Sequence, residues 1–276
     1  MSDKRTDIGW KYYNHAAVPT CAPHEEPDLT PSKSGEIWNI QGKPLLARWT
    51  TDFDCGYETN WWYIIKDGPF NIDELDPKVR KHIRQSLKKV EVKLIEPSKY
   101  AEELCAVHNR TVASYDSFEA ITQSPSMFEE HDQNIDYWAA FNIDNGQIVG
   151  YMRCKRNDVY AETLTAKYDP QFLNLRVSDA IHYSVLQYYL NELCYKYVCS
   201  GSRSINHKTN AQEYKIKTFG FRKAYCKLHI AYRPHIKLVI NVVYPFRGIL
   251  KKLDKIRIVH KVNSILLMEK IMRTKA

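Results

Sequence analysis

The chain has 276 residues, 44% hydrophobic and 26% charged, which is the composition of a globular protein long enough to bury a sizeable core; its ten glycines leave little for glycine-rich phosphate loops. The net charge of +8 resides in residues 236–276, which hold ten Lys/Arg and two Asp/Glu, so any electrostatic steering belongs to that stretch. Residues 1–15 lack an apolar signal core and no run reaches about 18 apolar residues, so a cytoplasmic protein without membrane spans is expected.

Pro19, Pro23, Pro27 and Pro31 recur at four-residue steps, so residues 1–35 read as an extended arm without helix. Residues 37–40 and 45–49 flank Gln41-Gly42-Lys43-Pro44 and read as a short hairpin. The aromatic and β-branched run 61–65 reads as a buried strand, which makes 36–74 a β-rich extension. Asp76-Pro77 then opens a helix whose apolar row is Val79, Ile83 and Leu87, set among basic residues. A strand over 90–95 follows, then a helix from Pro97-Ser98 to about 115 and short helices within 118–131. Three strands come next, over 137–143, 147–154 and 159–166, turning at Asp144-Asn145-Gly146 and Asn157-Asp158. A loop over 167–176 leads to a helix over 178–193, a strand over 197–199, a helix over 210–219 closed by Gly220, and a strand over 221–232. Residues 236–276 alternate apolar runs with lysine and arginine, the pattern of a basic amphipathic helical tail.

From residue 90 onward the order β-α-α-β-β-β-α-β-α-β resembles the core of the GNAT (N-acetyltransferase) superfamily. Thr209-Asn210-Ala211 followed by Phe219-Gly220-Phe221 is similar to that family's last helix and its Gly-Phe ending. The basic helix after Asp76-Pro77 is similar to one in Fem and BioF2-type relatives, among them aminoacyl-tRNA-dependent acyltransferases of cell-wall or polysaccharide metabolism. The resemblance implies an α/β (α+β) fold over residues 75–235, with a mixed, mostly antiparallel central sheet flanked by helices. It also implies transfer of an acyl group from acetyl-CoA or another acyl-CoA, or from aminoacyl-tRNA. The acceptor would be an amine on a sugar, amino acid or peptide, such as a peptidoglycan or polysaccharide precursor.

The same resemblance nominates site residues. Glu162 is the candidate base; strand periodicity puts it on one face with Leu164, and Ala161, Thr163 and Thr165 on the other. Leu164, Thr165, Arg176, Ser178, Asn210 and Lys215 are candidates for holding the donor, Arg176 and Ser178 standing where the family cradles a pyrophosphate at a helix N-terminus. Both family glycines are missing from 174–180, and Asp179 brings a negative charge into that turn; by themselves Ser178 and Asp179 read as an N-cap and a dipole complement. Ile216 occupies the position of the family's tyrosine acid, so Tyr214 is the substitute candidate, about 200° around the helix. These departures keep a second reading open, a catalytically inactive GNAT-like binding or assembly module. Seven cysteines without a CxxC pair and ten histidines without HxH or HExxH suggest reduced thiols and no metal site. The tail admits packing on the sheet or a second subunit, peripheral contact with an anionic membrane, or contact with tRNA and other RNA.

Overall fold

The structure is a computed structural model and describes residues 8–115, 121–129, 132–205 and 210–274. In chain order the elements begin with β1 (Trp10–Tyr13), β2 (Ala16–Pro19), α1 (Thr30–Ser34), β3 (Leu46–Thr51), β4 (Trp61–Asp67) and α2 (Pro77–Leu87). There follow β5 (Val90–Ile95), α3 (Ala101–Ala113), α4 (Ser126–Glu129), β6 (Ile135–Asn142), β7 (Ile148–Arg156) and β8 (Tyr160–Tyr168). The chain ends with α5 (Val177–Leu186), β9 (Tyr197–Ser202), α6 (Ala211–Phe219), β10 (Arg222–Tyr232), α7 (Pro234–Val243), α8 (Arg247–Lys252) and α9 (Arg257–Arg273). The fold is mixed α/β with mostly antiparallel strand pairing and flanking helices, in two compact units. The first comprises Met1–Tyr63, Ser202–Lys208 and Lys223–Ala276; the second comprises Ile64–Gly201 and Thr209–Arg222.

In the second unit β5, β6, β7 and β8 pair in succession, all antiparallel, and β9 joins β8 in parallel. The β6–β7 turn is set by Gly146, whose φ of +70° suits a residue without Cβ. Leu104 and Val107 of α3 bury against Tyr137, Ala139, Ile148 and Tyr151, with Phe128 completing the cluster. α5 buries Val177, Ile181 and Val185. A π-helical turn, Gln187–Glu192, prolongs α5 and places Tyr189, whose hydroxyl donates to Asp136 Oδ2 at 2.5 Å. Gly150 on β7 leaves room for α5, because a Cβ there would lie 2.7 Å from Val177 Cγ1.

The first unit pairs β1 with β2 antiparallel, β2 with β3 in parallel at Ala16↔Leu46 and Ala17↔Ala47, and β3 with β10 antiparallel. One core cluster joins Trp10, Ala17, Ile37 and Ala47. Another seats Met268 and Ile271 of α9 on Trp61, Cys226 and Leu228.

Several elements differ from expectation. The proline-spaced arm contains the β1–β2 hairpin, and Pro31 sits in the first turn of α1, where its missing N–H costs no helical hydrogen bond. The expected strand at 37–40 is a 3-10 turn, Glu36–Asn39, and β3 pairs with β2 and β10 instead, partners that local spacing does not disclose. The loop expected over 167–176 contains a 3-10 segment, Pro170–Leu175, capped by Asp169. Of the helices expected within 118–131, α4 is present; residues 118–120 and 130–131 lie outside the described residues. All seven cysteines are free thiols. Gly150→Ala is expected to destabilise the protein by about 1–3 kcal/mol through overpacking. Adding Val177→Ala should recover part of that loss in urea unfolding, since the clash is with Val177 Cγ1.

Candidate functional site

The parallel ladder between β8 and β9 lasts three positions, Tyr160↔Tyr197, Ala161↔Val198 and Glu162↔Cys199, while β8 runs on to Tyr168 and β9 to Ser202. Beyond Glu162 this backbone ladder ends, and the unzipped end of the two strands is called the fork. A β-bulge lies just past it: Cys154 pairs with Thr163 and Arg153 with Thr165, so Leu164 has no partner on β7 and stands 42% exposed. The extra residue reverses the alternation. Thr165 therefore shares a face with Arg153 and Glu162, and not with Thr163 as strict period two requires.

Lys215 of α6 enters the fork from the Thr163 side. Its ammonium donates to Ser200 Oγ and lies 3.4 Å from Thr163 Oγ1, and those two hydroxyls are 3.2 Å apart. No carboxylate among the described residues bonds this ammonium. Burial pushes Lys215 down to about 8, opposed by the nearby thiols of Cys154 and Cys199. Cys199 is pushed up to about 12 by burial and, second, by Glu162, so it stays a thiol at neutral pH. The arrangement is a desolvated ammonium fixed by two hydroxyls.

The start of α5 is built differently from a glycine cradle. Arg176 takes the left-handed conformation at φ 54° as the N-cap, a strained position for a residue with a Cβ. Ser86 of α2 holds this turn, its Oγ lying 2.8 Å from Leu175 O and 3.0 Å from Arg176 O. Asp179 is buried in the first helical turn and accepts a hydrogen bond from the Tyr214 hydroxyl, which is also 3.2 Å from Ser178 Oγ. Burial and then the Asp179 carboxylate raise Tyr214 well above an ordinary phenol. His182 donates from Nδ1 to Ser178 O at 2.8 Å and stacks on Phe219; burial pushes it down to about 3, so it is neutral. Outside this knot, a cleft of about 260 Å³ is lined by Gln85, Ser86, Lys88, Lys89, Asn174 and Arg176, with no acid in its wall. Arg176 Nη1 also donates to His82 Nδ1 at 3.1 Å.

The nominated residues therefore separate into groups. Lys215 joins Thr163 and Ser200, which the sequence reading did not single out; Ser178 joins Tyr214, with Asp179 between them. Ser178 makes no side-chain cap, and Asn210, at the N-cap position of α6, is exposed and caps only through its carbonyl, which accepts from Tyr214 N at 2.8 Å. Glu162 and Thr165 lie across β8 from Thr163, and Leu164 occupies the bulge. The sequence reading ended this strand at 199, one residue short of Ser200, which lies on β9. Nothing in the sequence links Asp179 to Tyr214. A pyrophosphate held by backbone amides at 176–180 does not fit, because glycine is absent and Asp179 is buried there. A phosphate held by side chains in the cleft of Lys88, Lys89 and Arg176 does fit.

By sequence, the chain matches no family profile and no curated protein. Its structure is similar to that of FemX, with a TM-score of 0.55 and 10% identity over 77% of each chain. It is also similar to L-PGS from Bacillus licheniformis, with a TM-score of 0.54 and 12% identity over 96% of this chain and 85% of that one. A third similar structure, at TM-score 0.55 and 12% identity over 85% and 84%, is a C-terminal domain (DUF2156) from Agrobacterium fabrum. The chain shares the fold of FemX and of these two structures, the Fem-type fold that the order of its elements led one to expect.

Lys215 makes stability depend on pH. Its folded value of about 8 lies below the 10.5 of an unfolded lysine, so between those values only the unfolded chain holds the proton. Stability thus rises with pH across that window. Lys215→Met is expected to be about 2 kcal/mol more stable than the wild type at neutral pH. The gap should close as pH approaches 10.5, as read by urea unfolding at several pH values.

Proposed function

We propose that this chain is an acyltransferase that uses the fork between β8 and β9 to present an activated acyl group to an amine. The observation that carries this reading is the Lys215 ammonium, bonded to Ser200 in the fork without a carboxylate partner among the described residues. The donor's acyl carbonyl enters the fork with its oxygen toward Lys215. As the amine nitrogen bonds to the carbonyl carbon, the oxygen gains negative charge, and a desolvated ammonium stabilises it far better than water would. Glu162, on the other face of β8, is the candidate base for the amine proton. When the tetrahedral intermediate collapses, the bond to the sulfur or ribose oxygen of the donor breaks, and Lys215 is placed to give that leaving atom a proton. A value near 8 suits this task close to neutral pH. Tyr214 is assigned a positioning role, since its proton is committed to Asp179.

The donor is an acyl-CoA or an aminoacyl-tRNA, both of which carry phosphate for Lys88, Lys89 and Arg176. The acceptor is an amine on a sugar, amino acid or peptide, with peptidoglycan and polysaccharide precursors as the leading class. One observation favours the rival reading, a binding module without catalysis: the α5 turn is filled by Asp179 and Tyr214 instead of offering free amides.

Lys215→Met should lower kcat for acyl transfer by about 10²-fold or more, with a smaller change in donor KM. The wild-type rate should fall on the alkaline side near pH 8, and Lys215→Arg should move that limb upward. Transfer of labelled acyl groups from acetyl-CoA and from charged tRNA to an amine panel checks both; a wild-type rate in Lys215→Met sinks the assignment. Lys88→Glu combined with Lys89→Glu should weaken donor binding by about tenfold in calorimetry. If neither donor binds the wild-type protein, the module reading replaces the catalytic one.

A further inference from the structure

The stretch after β10 buries only part of its apolar content. α9 commits Leu266, Met268 and Ile271 to the interior of the first unit, and α7 is anchored by Ile240. Leu238, Val242, Phe246, Ile249, Leu253 and Ile256 are instead 46% to 67% exposed. Their steps of four, four, three, four and three residues are the period of one helical face. Leu238 and Val242 lie on α7, Phe246 ends the 3-10 turn Tyr244–Phe246, Ile249 lies on α8, and Leu253 and Ile256 follow α8 in the turn before α9. Single exposed apolar residues are ordinary on a protein surface, but six in one period are not.

Five cations and one acid, Asp254, stand among these positions. Lys237, Arg247, Lys251, Lys252 and Lys255 are exposed between the apolar positions. The two acids of residues 236–276 are turned to partners of their own. Asp254 accepts from Asn263 at 2.8 Å and lies 2.9 Å from His260 Nδ1. Glu269 is buried and bonds both Tyr232 and Arg273. RNA phosphates would use the cations but not an aliphatic row. A second copy of the chain would set five like charges against five. No described helix is long and apolar enough to cross a membrane, so a bilayer would be met from its surface.

We propose that residues 234–256 form an interfacial docking surface for an anionic lipid bilayer, with the apolar row entering the headgroup boundary and the flanking cations meeting lipid phosphates. The test is co-sedimentation of the full chain with vesicles of phosphatidylcholine alone and of phosphatidylcholine mixed with phosphatidylglycerol, at low and high salt. The mixed vesicles should retain the protein and lose it as salt rises. The triple variant Val242→Glu, Phe246→Glu, Ile249→Glu should bind about tenfold more weakly or worse, and Lys251→Glu with Lys252→Glu should lower binding at low salt. All five positions are exposed, so circular dichroism should be unchanged in both variants. The proposal is overturned by an absence of binding to mixed vesicles, by equal binding to both kinds, or by wild-type binding in the triple variant. Sedimentation velocity supplies one more contrary result: a dimer that dissociates in the triple variant would make this row a self-association surface.

Discussion

Backbone pairing between β8 and β9 stops after Glu162 and Cys199, and the second unit's chemistry follows from that stop. Parallel strands that remain zipped leave no room for a substrate atom between them. Strands that part must find other partners for the side chains lining the gap. Here Thr163 and Ser200 supply hydroxyls and Lys215 supplies the charge, while the bulge at Leu164 turns the rest of β8 over. A lysine in such a place loses hydration without gaining a carboxylate. That costs folding free energy and leaves a cation whose natural complement would have to come from a ligand.

The beginning of α5 solves a related problem without glycine. A left-handed Arg176 is strained, and Ser86 offsets the strain by bonding the carbonyls of the turn. Gly150 sits beneath and lets Val177 approach β7. Asp179, Tyr214, Ser178 and His182 then form a polar knot between α5 and α6. Each supports the others, so the knot reads as scaffolding for the fork, and the basic cleft of Lys88, Lys89 and Arg176 lies on its outer side.

In the first unit the constraint is different. Trp61, Cys226 and Leu228 require a cover, and α9 supplies it with Met268 and Ile271. α7 adds only Ile240 to the interior, and most other apolar residues of α7 and α8 stay exposed. Lys237, Arg247, Lys251 and Lys252 stand exposed between them.

Much of the fold was legible in order and type. Asp76-Pro77, Asn145-Gly146 and Gly220 announce their cap and turns through local backbone chemistry, and the alternation of strands and helices from residue 61 to 232 follows from period two against period 3.6. The uneven charge of the tail is likewise a property of the sequence alone. The site was legible only in fragments: Lys215, Tyr214 and Ser178 were in view, but their partners were not. Register, the bulge at Leu164, the meeting of Tyr214 with Asp179 and the burial of Lys215 join residues tens of positions apart. Local periodicity carries the energies of neighbouring residues, whereas pairing and desolvation depend on which distant segment arrives, and that is decided only when the chain packs.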